Sequence, residues 1–362
     1  MSKMEFGVFD NFGISDMAQH ATAADAYDTH IRDAQTAEQG GYQYYFFIEH
    51  QNAPFAQMSA PNVFFAALAR ETSTLRFGPM IYQLPLHHPM RLAQDAAMVD
   101  NLSRGRLEFG TGTGVLENEF IRWNVPFAER RAMAQEALEI ITKAWTQESV
   151  DHHGKYWQFD EAFARPKPYQ QPHPPIWVGA HSDTSFDYAA KHNYNVAQNI
   201  DTDEVAAAKF ARWREVWKTH NHPGPMPRTL LVRHVHVAET DEKARQEAEP
   251  ALLKGFLVGF AEVAATRIGK GTSPGGMAGE EVTDYAQLFD TFHQTTQSFD
   301  YWIDSGVGVV GSPDTVIRML KEKQEKMGLN IFLAQHVIDE LPPDLCRNSM
   351  DLFAKHVIPA FN

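Results

Sequence analysis

Residues 75–114, LRFGPMIYQLPLHHPMRLAQDAAMVDNLSRGRLEFGTGTG, decide the fold class. Two apolar, β-rich runs, 75–82 and 106–111, flank a helix-length segment, so the unit reads as strand, loop, helix, strand. A helical crossover of that length joins parallel strands. LPLHHP (84–89) sets two prolines and two histidines where the first strand hands over to the helix. In α/β proteins the carboxyl ends of parallel strands are where sites are built. The handover and the glycine-alternating tip at 110–114 therefore mark a site before they say what it does.

Outward from this unit the alternation continues. Strand-like runs at 4–9, 42–48, 176–180, 194–198, 229–238 and 329–334 complete a set of eight. Helical patterns separate them at 25–39, 60–72, 88–102, 129–147, 183–192, 203–219 and 240–262. Within 129–147, Met133, Ala137, Leu138, Ile141 and Trp145 fall on one helix face. In SPDTVIRML, Ser312 is the expected N-cap and Pro313 the first helical residue. The pattern predicts an α/β fold, a single (β/α)8 TIM barrel over 1–362, with a doubly wound open sheet as the alternative. Two stretches interrupt it. SVDHHGKYWQFD (149–160) predicts a small hairpin turning at His153-Gly154. IGKGTSPGGMAGEEV (268–282) is too polar and glycine-rich to bury much, and predicts a mobile lid over 268–295, with plain disorder as the alternative.

Composition excludes several classes. The 362 residues, 43% hydrophobic and 22% charged, are ordinary globular material. A formal charge of −14 argues against a nucleic acid or an anionic membrane as partner. The single cysteine, Cys346, leaves no intramolecular disulfide and no thiolate metal cluster. The first residues lack a basic, apolar leader and no apolar run approaches the ~20 residues of a membrane span, so a cytoplasmic protein is expected.

GYQYYFFIEHQ (41–51) reads as a buried strand ending in Glu49-His50-Gln51. At a barrel mouth His50 can exchange a proton near neutral pH, although a structural histidine at a strand end fits the fragment equally. His87 and His88 are adjacent, so they point to opposite sides and cannot share a metal; His88-Pro89 shapes the turn into the helix. His234 and His236 share a strand face but lack a third ligand, so a structural role is favoured and no metal is expected. Gly110, Gly112 and Gly114 permit close approach of a flat ligand or phosphate, without the spacing of the dinucleotide fingerprint. In PPIWVGAHSDTS (174–185) a strand ends at Val178-Gly179-Ala180, and His181, Ser182, Asp183, Thr184 and Ser185 follow as the next helix opens. Such a terminus suits a phosphate, with ordinary capping by Ser182 or Asp183 as the alternative; Asp183 is expected to face solvent.

As a set, GYQYYFFIEHQ, LPLHHP with RLAQDAAMVDNLSRGRLEFGTGTG, the Arg130-Arg131 helix, GKYWQF, PPIWVGA and VGSPDTVIRML resemble the bacterial luciferase-like family of flavin monooxygenases. The resemblance implies FMN bound at the carboxyl ends of the barrel strands, reduced by a separate reductase. It implies insertion of one atom of dioxygen into a small organic substrate through a C4a-(hydro)peroxyflavin, in a homodimer or heterodimer. His50 matches the first histidine of the family's Glu-His-His and inherits its catalytic role, while Gln51 replaces the second. Met80-Ile81 falls at a non-proline cis peptide that supports the flavin ring. Gly112 stands where luciferase has a reactive cysteine, and Thr113 where it has a phosphate-binding arginine. Arg131 matches a second phosphate-binding arginine, with Arg130 beside it. Ser182 and Ser185 match phosphate-holding hydroxyls; His181 is counted with them, and the amides of Gly114 and Val115 lie close to the same pocket. Phe46, Phe47, Tyr82, Phe109 and Leu116 are candidate walls, with plain core positions as the alternative, and Glu119 is a candidate to orient or tune His50. An FMN- or deazaflavin-dependent hydride-transfer enzyme and a non-catalytic partner subunit are the alternatives. The substrate, the polarity of oxygen transfer and light emission are not encoded in these motifs.

Overall fold

The structure is a computed structural model that describes residues 3–13, 17–51, 58–268, 290–291, 293–338 and 340–361. The strands are β1 (Glu5–Asp10), β2 (Tyr44–Phe47), β3 (Arg76–Pro79), β4 (Tyr82–Gln83), β5 (Phe109–Gly112), the pair β6 (Val150–His153) and β7 (Gln158–Ala162), β8 (Ile176–Gly179), β9 (Asn195–Gln198), β10 (Thr229–Val237), β11 (Gly308–Gly311) and β12 (Ile331–Gln335). The main sheet runs β3-β2-β1-β12-β10-β9-β8-β5-β4, and every neighbouring pair is parallel. β3 and β4 are successive pieces of one strand, broken at the cis peptide Met80-Ile81. The order therefore returns to its start, and the parallel bridge Phe77–Leu107 joins β3 to the approach of β5. This is the expected barrel rather than an open sheet.

The strands are apolar on both faces because both are covered. Phe9, Tyr44, Phe46, Trp177, Ala197, Leu230, Val232, Ile331 and Leu333 fill the barrel interior. Their neighbours in sequence, among them Val8, Tyr45, Phe47, Val178, Val196, Leu231 and Phe332, pack outward under the helices. That outer layer includes α1 (Ala23–Gln39), α2 (Pro61–Glu71), α3 (Pro89–Ser103), the short α4 (Glu117–Arg122), α5 (Arg130–Thr146), α6 (Asp183–His192), α7 (Asp203–Thr219), α8 (Asp241–Ile268), α9 (Phe299–Asp304), α10 (Pro313–Met327) and α11 (Pro343–Leu352).

The hairpin forms close to where it is expected. The Glu136 carboxylate of α5 accepts the backbone N–H groups of Lys155, Tyr156 and Trp157 at its tip. β11 was not expected. His234 of β10 pairs with Gln335 and Gly308, and Leu230 lower down pairs with Ile331 and Ala197. With β12 on one edge as far as His234, β11 takes over the other edge, which β9 leaves at Gln198. Ser312 does occupy the cap position of α10, but its hydroxyl makes no capping bond. Asp241 caps instead, accepting from Ser312 N at 2.6 Å and Thr315 Oγ1 at 2.9 Å. Of the expected lid, 269–289 and 292 lie outside the described residues. Among the described residues no helix is long and apolar enough to cross a membrane.

Candidate active site

β2 hands over at Phe47 to Glu49, His50 and Gln51, which step off the carboxyl end of the barrel. His50 Nδ1 lies 3.2 Å from Oε1 and 3.4 Å from Oε2 of Glu119, a buried carboxylate on α4. The same Oε1 accepts the backbone N–H of Gln51 and, at 3.2 Å, the amide of Gln83. Glu49 is a second buried carboxylate. It accepts Gln83 N at 2.8 Å and Gln51 Nε2 at 2.8 Å, and faces His87 Nε2 at 2.8 Å. Burial alone would lower the His87 pKa; the Glu49 carboxylate outweighs it and holds the imidazole above its usual value. Each buried carboxylate thus has three donors, and Gln51 and Gln83 serve both.

The next feature is a floor made possible by glycine. A Cβ on Gly112 would lie 2.3 Å from Ile81 Cδ1, and one on Gly179 2.9 Å from Ile81 Cγ2. The Ile81 side chain therefore lies against two bare strand positions, one on each of β5 and β8. Met80, beside it, packs on the interior core. Gly114 has φ +74°, the left-handed region, and its Cα faces Gln83 and the Phe120 ring. Val115 follows it, partly buried.

The third feature is cationic. Arg131, in the first turn of α5, donates to Thr184 Oγ1 at 2.6 Å and reaches Ser182 Oγ at 3.5 Å. Ser182 is the N-cap of α6, accepting from Ser185 N, and its hydroxyl meets that of Ser185 at 2.8 Å. One guanidinium, three hydroxyls and the open end of a helix converge there, with His181 immediately before the cap. Asp183 turns away as expected, half exposed and paired with Arg212. Arg130 does not share the cradle: its side chain is buried, 4.0 Å over the Phe127 ring.

Among the candidate walls, Phe46 belongs to the barrel interior, whereas Phe47, Tyr82 and Phe109 belong to the outer core, with Phe109 edge-on to Trp145. Those three take the alternative reading, as core positions rather than walls of the site. His88 is the N-cap of α3, shaping that turn. His236 bonds Glu247 at 2.8 Å, a structural tie, and among the described residues no cluster could hold a metal ion. Sequence reasoning passed over Gln83 and the Glu49–His87 pair; the signals were that Gln83 directly precedes LPLHHP, that His87 lies within it and that Glu49 adjoins His50.

The family model for luciferase-like monooxygenases matches residues 4–330. The oxygenase component of the flavin-dependent trigonelline monooxygenase of Acinetobacter baylyi is 31% identical over 252 residues, 68% of each chain. A monooxygenase from Streptomyces bottropensis superposes with a TM-score of 0.80 at 23% identity, over 99% of this chain and 100% of its own. The oxygenating constituent of a Pseudomonas putida diketocamphane monooxygenase, solved with FMN, superposes at 0.79 and 22% identity, over 99% of both chains. A match spanning nine-tenths of the sequence, on a barrel with this site at its mouth, leaves one assignment: the chain belongs to the luciferase-like monooxygenase family.

Proposed function

We propose that this flavin-dependent monooxygenase is the oxygenase component of a two-component system, taking reduced FMN from a separate reductase and inserting one atom of dioxygen into a small organic substrate. The description of the trigonelline relative as an oxygenase component supports the division of labour. We read residues 1–362 as one domain of a cytoplasmic, dimeric enzyme.

The observation that carries the reading is the pairing of His50 with Glu119 on the same barrel end as the Arg131 cradle. The donor set fits FMN at both ends. Arg131, the hydroxyls of Ser182 and Ser185 and the N-terminal amides of α6 suit a phosphate dianion. Ile81, lying against Gly112 and Gly179, offers an apolar surface for a flat ring, with Met80 beneath it and Gly114 and Val115 at its border. Reduced FMN, when bound, supplies the electron pair that activates dioxygen. The chain does the rest. Glu119 engages Nδ1 of His50, fixing the tautomer, so proton exchange with bound reactants runs through Nε2. The buried surroundings keep bulk water from competing for that proton.

The test is turnover under labelled dioxygen, with a generic flavin reductase and a panel of small ketones, alkenes and nitrogen heteroaromatics. One labelled oxygen atom should appear in the product. Turnover without dioxygen, or a product free of label, would overturn the reading. His50→Ala should bind reduced FMN within a few-fold of the parent yet lose about 10²-fold or more in kcat, the usual scale of general acid–base catalysis.

A further inference from the structure

We propose that Gln83 is a positioning residue for proton handling, setting the basicity of the His50–Glu119 pair by holding Glu119 and Glu49 apart as separately solvated anions. The inference rests on the reading of His50 given above. Gln83 Nε2 lies between Glu119 Oε1 at 3.2 Å and the carbonyl oxygen of Glu49 at 3.3 Å. Both neighbours are acceptors, so the amide cannot be turned over without placing oxygen against oxygen. The Gln83 backbone N–H meanwhile donates to the Glu49 carboxylate. One residue therefore serves two buried carboxylates with different groups.

The other end of the amide makes the case for more than packing. Gln83 is 2% exposed, and its Oε1 has no hydrogen-bond partner among the described residues. It points at Gly114, where a Cβ would stand 2.7 Å away. A buried acceptor left unsatisfied is destabilising, a cost that leucine or methionine in the same space would avoid. The polar side chain is kept at that cost, and what it supplies in return is the Nε2 donor to Glu119. The charges around it are complementary: His87 compensates Glu49, with Asp95 reinforcing the His87 charge from α3, while Glu119 is left to His50. Tyr82, next in sequence, turns its hydroxyl to Asn62 and stays out of the pair.

Gln83→Met fills the space without the donor, and Gln83→Glu supplies a donor only while protonated. A hydrogen bond to a carboxylate favours its anionic form, so losing the Gln83 donor makes the His50–Glu119 pair hold its proton more tightly and moves its titration to higher pH. That shift should be read twice: in the histidine NMR titration of the flavin-free protein, assigned with His50→Ala, and in the pH profile of kcat. Gln83→Met should also lower kcat about ten-fold with KM within two-fold. The deficit of Gln83→Glu should grow as pH rises. A titration and profile unchanged in Gln83→Met, or equal pH-independent deficits in both variants, would overturn the inference while leaving the function intact. If His50→Ala itself turns over like the parent, the reading of His50 fails first, and the role of Gln83 with it.

Discussion

Arg131 reaches from the first turn of one helix to the hydroxyls that open another, and its guanidinium already has two neutral partners there. A phosphate group set among these hydroxyls would add a charge-assisted contact to the guanidinium. Arg131→Ala should weaken FMN binding about ten- to a hundred-fold, the worth of one charge-assisted contact, as measured by titration calorimetry. Ser185→Ala should weaken it less, because Ser182 keeps the cap. An Arg131→Ala protein that binds FMN like the parent would move the phosphate elsewhere.

At the scale of elements, α8 and α10 begin side by side, α8 capped by Thr240 and α10 braced by a residue of α8. Asp241 sits in the first turn of α8 and accepts from the Ser312 N–H, the Ser312 hydroxyl and the Thr315 hydroxyl; the Ser312 N–H, the largest of these influences, helps to hold its carboxyl below the ordinary range. Asp241→Ala should therefore cost about 1–2 kcal/mol in chemical denaturation, and Ser312→Ala only a few tenths. The reverse order would restore the serine as the cap. The same comparison shows what was legible in the sequence. All eight wall strands announce themselves as apolar runs, and Pro313 marks the start of α10. β11 does not, because Gly308-Val309-Val310-Gly311 is too short and glycine-bounded to stand out beside a helix start. Nor does strand phase: in Tyr44-Tyr45-Phe46-Phe47 both faces are apolar, so alternation could not say that Phe46 faces inward and Phe47 outward. The cradle and the His50–Glu119 pair join residues tens of positions apart; the chain shows the participants, and only folding shows the meeting.

At the scale of the whole molecule, burial sets the response to acid. His336 is enclosed between Tyr42 and Ser349, and burial, with His236 nearby, pushes its pKa down to about 3. In the unfolded chain the same ring takes a proton near pH 6.5. Between those values the unfolded state binds one proton that the native state does not, so stability falls as pH falls, by about 1.4 kcal/mol per pH unit from this residue. His336→Asn removes that contribution. Urea denaturation from pH 6 to pH 4.5 should show a shallower acid loss for the variant by that amount per unit; parallel curves would mean that the ring finds a proton in the folded state.

The exchange of partners along β10 also carries a consequence for how the wall opens. Below Gln198 the strands are bonded around the cylinder, with an interruption at the Met80-Ile81 break between β3 and β4; above it, among the described strands, β11 is zipped to β10 alone. The ladder therefore has a gap along the upper rim between β9 and β11, tied beyond the strand ends by Asp203 N, which donates to Ser305 O at 2.8 Å. Breathing of the wall should concentrate there, with amides of 308–311 trading hydrogen for deuterium sooner than those of 229–231. The upper rim yields first, while the lower hoop, like the base of a basket, keeps its diameter.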